Sequence, residues 1–189
     1  SQSGVTAIGG KIIPVYETEK PSWMSKYLLP LVAAQDMGDR PKKFMGKKFP
    51  IGANVAFRKE AFEKYGLFNT DLGRQGTKLE GGEEKDMFDR LKKDNEVILY
   101  EPAVSVQHII PPTRVELSYI RKMGIGVGTS ERKRVIKTGE VLSKILEELY
   151  KVTGPAILSI LLALQGRFSA SVMLIRFRYW VIKGLISGQ

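Results

Sequence analysis

The chain has 189 residues, of which 43% are apolar and 26% are charged. This balance is typical of one folded domain of ordinary size, and it excludes a disordered, collagen-like or low-complexity protein. Cysteine is absent, which excludes disulfides, thiolate catalysis and cysteine-ligated zinc and fits a reducing compartment.

The positive charge is concentrated at the C-terminal end. The formal net charge is +10, to which residues 1–112 contribute +2 and residues 113–189 contribute +8. The basic segment also holds the longest apolar runs, so it favours an anionic membrane surface over nucleic acid as a partner. The chain opens with Ser-Gln-Ser-Gly and no initiator methionine, and we expect it to be a piece of a longer protein.

The first elements in chain order are short strands and a helix. Val5–Tyr16 predicts a turn and a strand, and Phe49–Phe57 predicts a second strand that is interrupted by Gly52. Arg58–Tyr65 is helical in pattern, and Gly66 suits the position after a helix end.

A glycine-rich loop precedes the next helix. Leu67–Gly82 is typical of a segment that shapes a ligand site, and Glu83–Lys93 has the apolar spacing of an amphipathic helix. Beyond it, Val97–Tyr100 and Ala103–His108 predict two strands, or one strand broken by Pro102.

The C-terminal part reads as helical. The pattern predicts a helix from Arg114 to about Met123, a glycine-containing and basic linker, and then helices over 141–150 and 168–186. Residues 154–165 are uncharged, but as a helix they reach only about 18 Å, which is short of a membrane core. We therefore predict two regions, 1–130 and 131–189. The apolar faces of the second lie in a membrane interface or, alternatively, pack on each other or on a second subunit.

Three acids stand at the start of the helix that begins at residue 83. Glu83, Glu84 and Asp86 would meet the positive end of the helix dipole, which favours the ionised form of a carboxylate and suits a general base. Neighbouring side chains diverge by about 100° on a helix, so only one of Glu83 and Glu84 can face a given ligand. The alternative is that these acids only stabilise the helix N-terminus.

Four segments together resemble a known family. They are Ile51-Gly-Ala-Asn-Val-Ala-Phe and the residues up to Phe68, then Leu72-Gly-Arg, Gly81-Gly-Glu-Glu-Lys-Asp, and Tyr100-Glu-Pro-Ala-Val-Ser-Val-Gln-His. Their order and spacing resemble the acceptor-side half of family 2 glycosyltransferases. The resemblance implies an α/β fold, namely a partial GT-A (Rossmann-like) fold with short mixed strands, followed by a helical C-terminal region.

The resemblance also implies a reaction. Family members move a sugar from a nucleotide-sugar donor to a saccharide or lipid-linked acceptor, with inversion, in cell-surface polysaccharide synthesis. The last acid of the family's Gly-Gly-Glu-Asp signature is the general base, and it corresponds to Glu84 here. Glutamate in place of that aspartate moves the carboxylate by about an ångström, so the base is Glu84 or Glu83, with Asp86 in support.

Five further residues are candidates for binding substrate. By the resemblance, Gly52 and Asn54 lie beside the donor sugar, and the pair Gly81 and Gly82 lets a sugar approach the backbone. Trp23 would stack on an acceptor sugar, although a lone aromatic is more often a core or interface residue. For Asn54 the alternative is a simple turn residue.

A metal ion is implied only by the resemblance. The family binds Mn²⁺ or Mg²⁺ and the donor diphosphate through an Asp-x-Asp motif, which is absent from this sequence, and Asp36 and Asp39 are spaced wrongly for it. His108 resembles a histidine that helps to bind the diphosphate or its metal, the alternative being a packed histidine. We therefore expect the isolated chain to be inactive without a donor-binding half.

These inferences predict a cytoplasmic protein, peripheral on the inner face of a bacterial plasma membrane, which is able to form a homodimer. The alternative function is a non-catalytic membrane-surface binding module. No specific nucleic-acid partner is expected, because charge alone favours one and no recognition motif accompanies it.

Overall fold

A computed structural model describes residues 4–73, 82–136, 139 and 141–188 of the chain. The strands are β1 (Val5–Tyr16), β2 (Lys42–Lys43), β3 (Val55–Phe57) and β4 (Val97–Ile110). The helices are α1 (Lys59–Tyr65), α2 (Glu83–Lys93), α3 (Leu117–Ile136), α4 (Val141–Tyr150), α5 (Thr153–Leu164) and α6 (Phe168–Ser187). Short 3₁₀ turns occupy Leu29–Val32, Gly52–Asn54 and Pro112–Val115. The α/β fold class followed by a helical region is thus confirmed, and it is consistent with a partial Rossmann-like fold.

The described residues divide into two compact units. The sheet unit comprises the chain up to Glu17, Leu29–Asp71 and Glu83–Pro111, and the helical unit comprises Thr18–Leu28, Leu72–Gly82 and the chain from Pro112 onward, as far as the structure describes them. The boundary at residue 130 stays a prediction.

The sheet unit is built on one long parallel pairing. The strand order is β2-β4-β1-β3, in which β1 and β4 are parallel and the two outer pairings are antiparallel. The β1–β4 register jumps where Gly10 faces Glu101 and Lys11 faces Ser105, so Pro102, Ala103 and Val104 bulge out of the ladder. Pro102 has no N–H to donate, which explains why the ladder is interrupted there.

Helix α2 packs on one face of this sheet. Met87, Phe88 and Leu91 are fully buried, as the amphipathic pattern predicts. The core of the unit consists of Ala7, Phe44, Ala61, Phe88, Leu91, Ile98 and Tyr100.

Hydrogen bonds to one carboxylate tie together the elements of the sheet unit. Glu96, just before β4, accepts them from Thr6 of β1 and from Tyr65 and Lys64 of α1. These bonds lower the pKa of Glu96 to about 2, so this carboxylate is ionised at any physiological pH.

The predicted strand Phe49–Phe57 is wrong over its first part. Pro50 is fully buried, residues Gly52–Asn54 form a 3₁₀ turn, and the strand begins only at Val55. The two strands predicted after α2 are a single strand with a bulge at Pro102, which is the second of the two possibilities.

The predicted linker after Met123 is also wrong, because α3 continues as one 20-residue helix to Ile136. Gly128 of this helix and Gly184 of α6 are packing positions. A Cβ on Gly128 would lie 2.0 Å from the carbonyl oxygen of Val181, and a Cβ on Gly184 would lie 2.0 Å from that of Ile125. Helices α3 and α6 therefore cross in backbone contact, which only glycine permits.

We predict that Gly128→Ala and Gly184→Ala each destabilise the protein by about 2 kcal/mol or more, because the clash is with backbone and not with a movable side chain. This should lower the melting temperature by about 4–8 °C. The matched control is Gly154→Ala in α5, where an added Cβ meets nothing within 4 Å. Because residue 155 is proline, which disfavours a helical alanine before it, stability should change by less than about 1 kcal/mol. Equal melting temperatures for all three variants would contradict the close crossing.

Candidate active site

Glu84 contacts the 3₁₀ turn that follows Pro50. It lies in the first turn of α2, and its Oε2 accepts a hydrogen bond from the backbone N–H of Gly52 at 3.1 Å. A Cβ on residue 52 would lie 1.7 Å from Oε1 of Glu84. The space at Gly52 is therefore filled by the carboxylate, and this contact joins two of the motif segments. Sequence spacing alone does not reveal this contact.

Asp86 belongs to an ion pair that holds the end of α1. Its Oδ2 lies 3.0 Å from Arg90, whose guanidinium donates to the carbonyls of Tyr65 and Leu67. Asp86 thus orients a structural arginine, and a catalytic role for it stays a prediction. The clamping role of Arg90 has no signal in the sequence.

Glu83 differs from both of its acidic neighbours. Its Oε2 is buried and has no hydrogen-bond partner in the described part of the chain. Buried carboxylate oxygens are normally partnered, so a ligand hydroxyl would satisfy this one. The choice between Glu83 and Glu84 as base is thus still open on geometry.

Asn54 holds the bulge of the β1–β4 ladder. Its Nδ2 donates to the carbonyls of Lys11 and Val104, each at 3.0 Å. Lys11 is the first β1 residue after the register jump, and Val104 belongs to the bulge of β4. The arrangement agrees with the turn-residue interpretation, and contact with a donor sugar stays a prediction.

The described residues do not form a metal site by themselves. His108 pairs with Pro14 across the β1–β4 ladder, and its Nδ1 is buried without a partner among the described atoms. Within the same residues, no three His, Cys, Asp or Glu side chains gather at metal-binding distance. One imidazole nitrogen cannot hold a divalent ion alone, so within the described ranges His108 would supply a single ligand of such a site.

Asp36 and Asp39 are engaged with a cation of β1. Lys11 Nζ lies 3.0 Å from Asp36 and 3.3 Å from Asp39. The pKa of Asp36 is lowered by the backbone N–H of Gly38 and by Lys11, and the pKa of Lys11 is raised by its hydrogen bonds to the two carboxylates. These acids serve the local structure, in line with their unsuitable spacing as metal ligands.

The remaining candidates lie outside the sheet unit or outside the described residues. Gly82 precedes α2 with φ +117°, a backbone conformation that suits glycine, and it belongs to the helical unit. Trp23 is half-buried in that unit. Gly81 lies outside the described residues.

A cavity of about 290 Å³ lies on the sheet unit. Its lining includes Thr6, Ile8, Phe57, Arg58, Leu99 and Glu101, and Glu84 is not part of it. The contact between Gly52 and Glu84, and not this cavity, therefore defines the candidate site.

Comparison with known proteins finds one distant similarity. No family model matches the chain, and no solved structure matches it. The chain is 24% identical over 127 residues to the glucosyl-dolichyl phosphate glucuronosyltransferase of Haloferax volcanii, an archaeon. The match covers 67% of this chain and 40% of the relative, so the chain spans less than half the length of that protein. The chain thus has a glycosyltransferase as a distant relative, while family 2 membership stays a prediction.

We predict that Asn54→Asp destabilises the sheet unit by about 2 kcal/mol, because a carboxylate would face two carbonyl oxygens in place of a donor. Urea denaturation measures this. Asn69→Asp is the matched control, since Asn69 Oδ1 accepts from the Asp71 N–H and aspartate accepts equally well. If both variants are equally stable, the Asn54 amide does not hold the bulge.

Proposed function

We propose that this chain is the acceptor-binding and catalytic-base portion of an inverting glycosyltransferase of family 2 with a GT-A fold. The observation that carries the proposal is the hydrogen bond from Gly52 to Glu84, because it links the segment assigned to the donor sugar with the segment assigned to the base. The distant similarity to a glucuronosyltransferase also supports sugar transfer.

The chemistry needs an oriented carboxylate. An acceptor hydroxyl is a weak nucleophile, and a base must stand about 2.6–3.2 Å from it to take its proton. In the proposed reaction Glu84 accepts this proton as the hydroxyl oxygen bonds to the anomeric carbon. The bond from that carbon to the nucleotide diphosphate breaks on the opposite face, which inverts the centre. The Gly52 N–H orients the carboxylate for this step.

We favour a lipid-linked acceptor over a free saccharide. By its name, the Haloferax relative acts on glucosyl-dolichyl phosphate, a lipid-linked sugar. The nucleotide-sugar donor and any Mn²⁺ or Mg²⁺ would be held mainly by a donor-binding half, to which His108 adds at most one ligand. This chain alone is then inactive. Bacterial origin, a place at the inner membrane face and a homodimer stay predictions.

In the enzyme that combines this chain with its donor-binding half, we expect Glu84→Gln to lower turnover by at least about 100-fold. Donor binding, measured by calorimetry, should be unchanged, because the amide keeps the size of the side chain and loses only the base. Glu83→Gln is the matched comparison and should keep turnover within about tenfold. The reverse order would assign the base to Glu83.

A second variant tests the contact itself. Gly52→Ala places a Cβ on the Glu84 carboxylate and should reduce turnover as Glu84→Gln does, while the melting temperature stays close to that of the unchanged protein. Full turnover in Gly52→Ala would remove the contact from the mechanism.

One observation favours the alternative of a membrane-surface module. Helices α4, α5 and α6 each expose apolar side chains at helical spacing, among them Leu142, Leu146, Leu149, Ile157, Ile160, Leu164, Phe168, Val172 and Tyr179. Such a set exceeds what isolated surface residues explain. No helix within the described ranges is long and apolar enough to cross a membrane, so binding would be interfacial.

We expect Leu164→Asn with Phe168→Asn to weaken binding of the chain to phosphatidylcholine vesicles by about tenfold or more, because apolar burial is lost. These side chains are 80% and 66% exposed, and the control is Met45→Asn at 70%. Co-sedimentation measures binding. Deleting α6 is a poorer test, because α6 also packs on α3 through Gly184. Unchanged binding of the double variant would contradict the interfacial interpretation.

A further inference from the structure

A second cavity lies in the helical unit, between α3 and α6. It has a volume of about 350 Å³, and its lining includes Ser118, Arg121, Arg176, Tyr179, Trp180 and Lys183. The volume lies within the range of small-molecule sites. One cation of α3 and two of α6 thus converge on one concave surface.

The geometry of the two helices produces this convergence. Arg176, Trp180 and Lys183 share one face of α6 by their spacing of four and three residues. An added Cβ on Gly124 of α3 would lie 2.9 Å from Trp180 Cβ, which shows how closely the helices approach. Trp180 is only 8% exposed and forms an apolar wall.

The cavity cations lack acidic partners in the described part of the helical unit. No ion pair joins Arg121, Arg176 or Lys183 to a described carboxylate, whereas other cations of the unit are paired: Lys144 with Glu131, Lys151 with Glu147, and Arg178 with Glu148. Glu116 accepts a hydrogen bond from Ser118 and does not line the cavity. Like charges that converge without a counter-charge repel each other, and a bound anion would relieve this repulsion.

The donor groups match a phosphate ester. Two guanidinium forks and one ammonium present the charge-assisted donors that phosphate oxygens accept. Tyr179 both lines the cavity and belongs to the exposed apolar stripe of α6 with Val172 and Ile175. A phosphate with a hydrocarbon tail would contact the cations and this stripe together.

We propose that the cavity is a binding site for the phosphate group of a phosphorylated lipid, held by Arg121, Arg176 and Lys183. This site goes beyond the proposed catalytic role, because binding there requires neither Glu84 nor a donor half. Free phosphate shares the same chemistry, so the test separates the two sources.

The experiment compares two triple variants of the full chain with equal loss of charge. The site variant is Arg121→Gln, Arg176→Gln and Lys183→Gln. The control variant is Lys20→Gln, Lys122→Gln and Arg167→Gln, all exposed cations of the same unit that do not line the cavity. Each is assayed by co-sedimentation with phosphatidylcholine vesicles that contain phosphatidic acid, and by calorimetric titration with pyrophosphate. All six side chains are exposed, and melting temperatures check the fold.

The proposal expects the site variant to lose at least about tenfold in affinity for phosphatidic acid vesicles, and the control to lose less than about threefold. Equal losses would overturn it, because general surface charge then explains binding. Selective binding of pyrophosphate without vesicle binding would overturn the lipid as the source. If either triple variant unfolds, or both do, the single variants Arg121→Gln and Arg176→Gln carry the same comparison, and their equality with Lys122→Gln overturns the site.

Discussion

The parallel pairing of β1 with β4 is the constraint on which the candidate site depends. Its ladder runs from Val5 opposite Val97 to Tyr16 opposite Ile110, and its register shifts twice, between Val5 and Ala7 and, at the bulge, between Gly10 and Lys11. At this bulge the carbonyls of Lys11 and Val104 each accept a hydrogen bond from the Asn54 side chain. Because Asn54 closes the 3₁₀ turn that begins at Gly52, the same bond places the Gly52 N–H where Glu84 meets it. The site is thus a consequence of satisfying backbone polar groups.

The helical unit is governed by a different constraint, which is backbone contact between two helices. Gly128 and Gly184 allow α3 and α6 to approach until carbonyl oxygens fill the space of absent side chains. At that distance, side chains flanking the crossing face one another across a narrow gap. This brings Arg121 beside Arg176 and Lys183 without acidic partners among the described residues. Three neighbouring cations without a counter-charge do not stabilise the fold. Such an arrangement is therefore consistent with a role in binding an anion.

Local pattern predicts part of this fold well. Helix α2 could be derived from the spacing of Met87, Phe88 and Leu91, because one buried face imposes the helical period. The start of β3 could not be derived from local pattern. Whether Gly52–Asn54 forms a turn or a strand depends on a contact with Glu84, which lies 32 positions away in the sequence. The linker predicted after Met123 failed for a related reason. Glycine in a sequence suggests flexibility, but Gly128 of α3 faces the backbone of α6, and that tertiary contact overrides local propensity.

The sequence likewise predicts only part of the candidate site. The acids at the start of α2 are visible in the sequence because a helix N-terminus attracts carboxylates, yet their separate environments are not. Asp86 pairs with Arg90, Glu84 is held by Gly52, and Glu83 has a buried oxygen with no partner among the described residues. Because their surroundings differ, we expect the adjacent carboxylates of Glu83 and Glu84 to have different chemical roles. If one takes a proton from an acceptor, the other is suited to bind a neighbouring hydroxyl without removing its proton. The base is therefore whichever of the two carboxylates lies within hydrogen-bonding distance of the reacting hydroxyl oxygen.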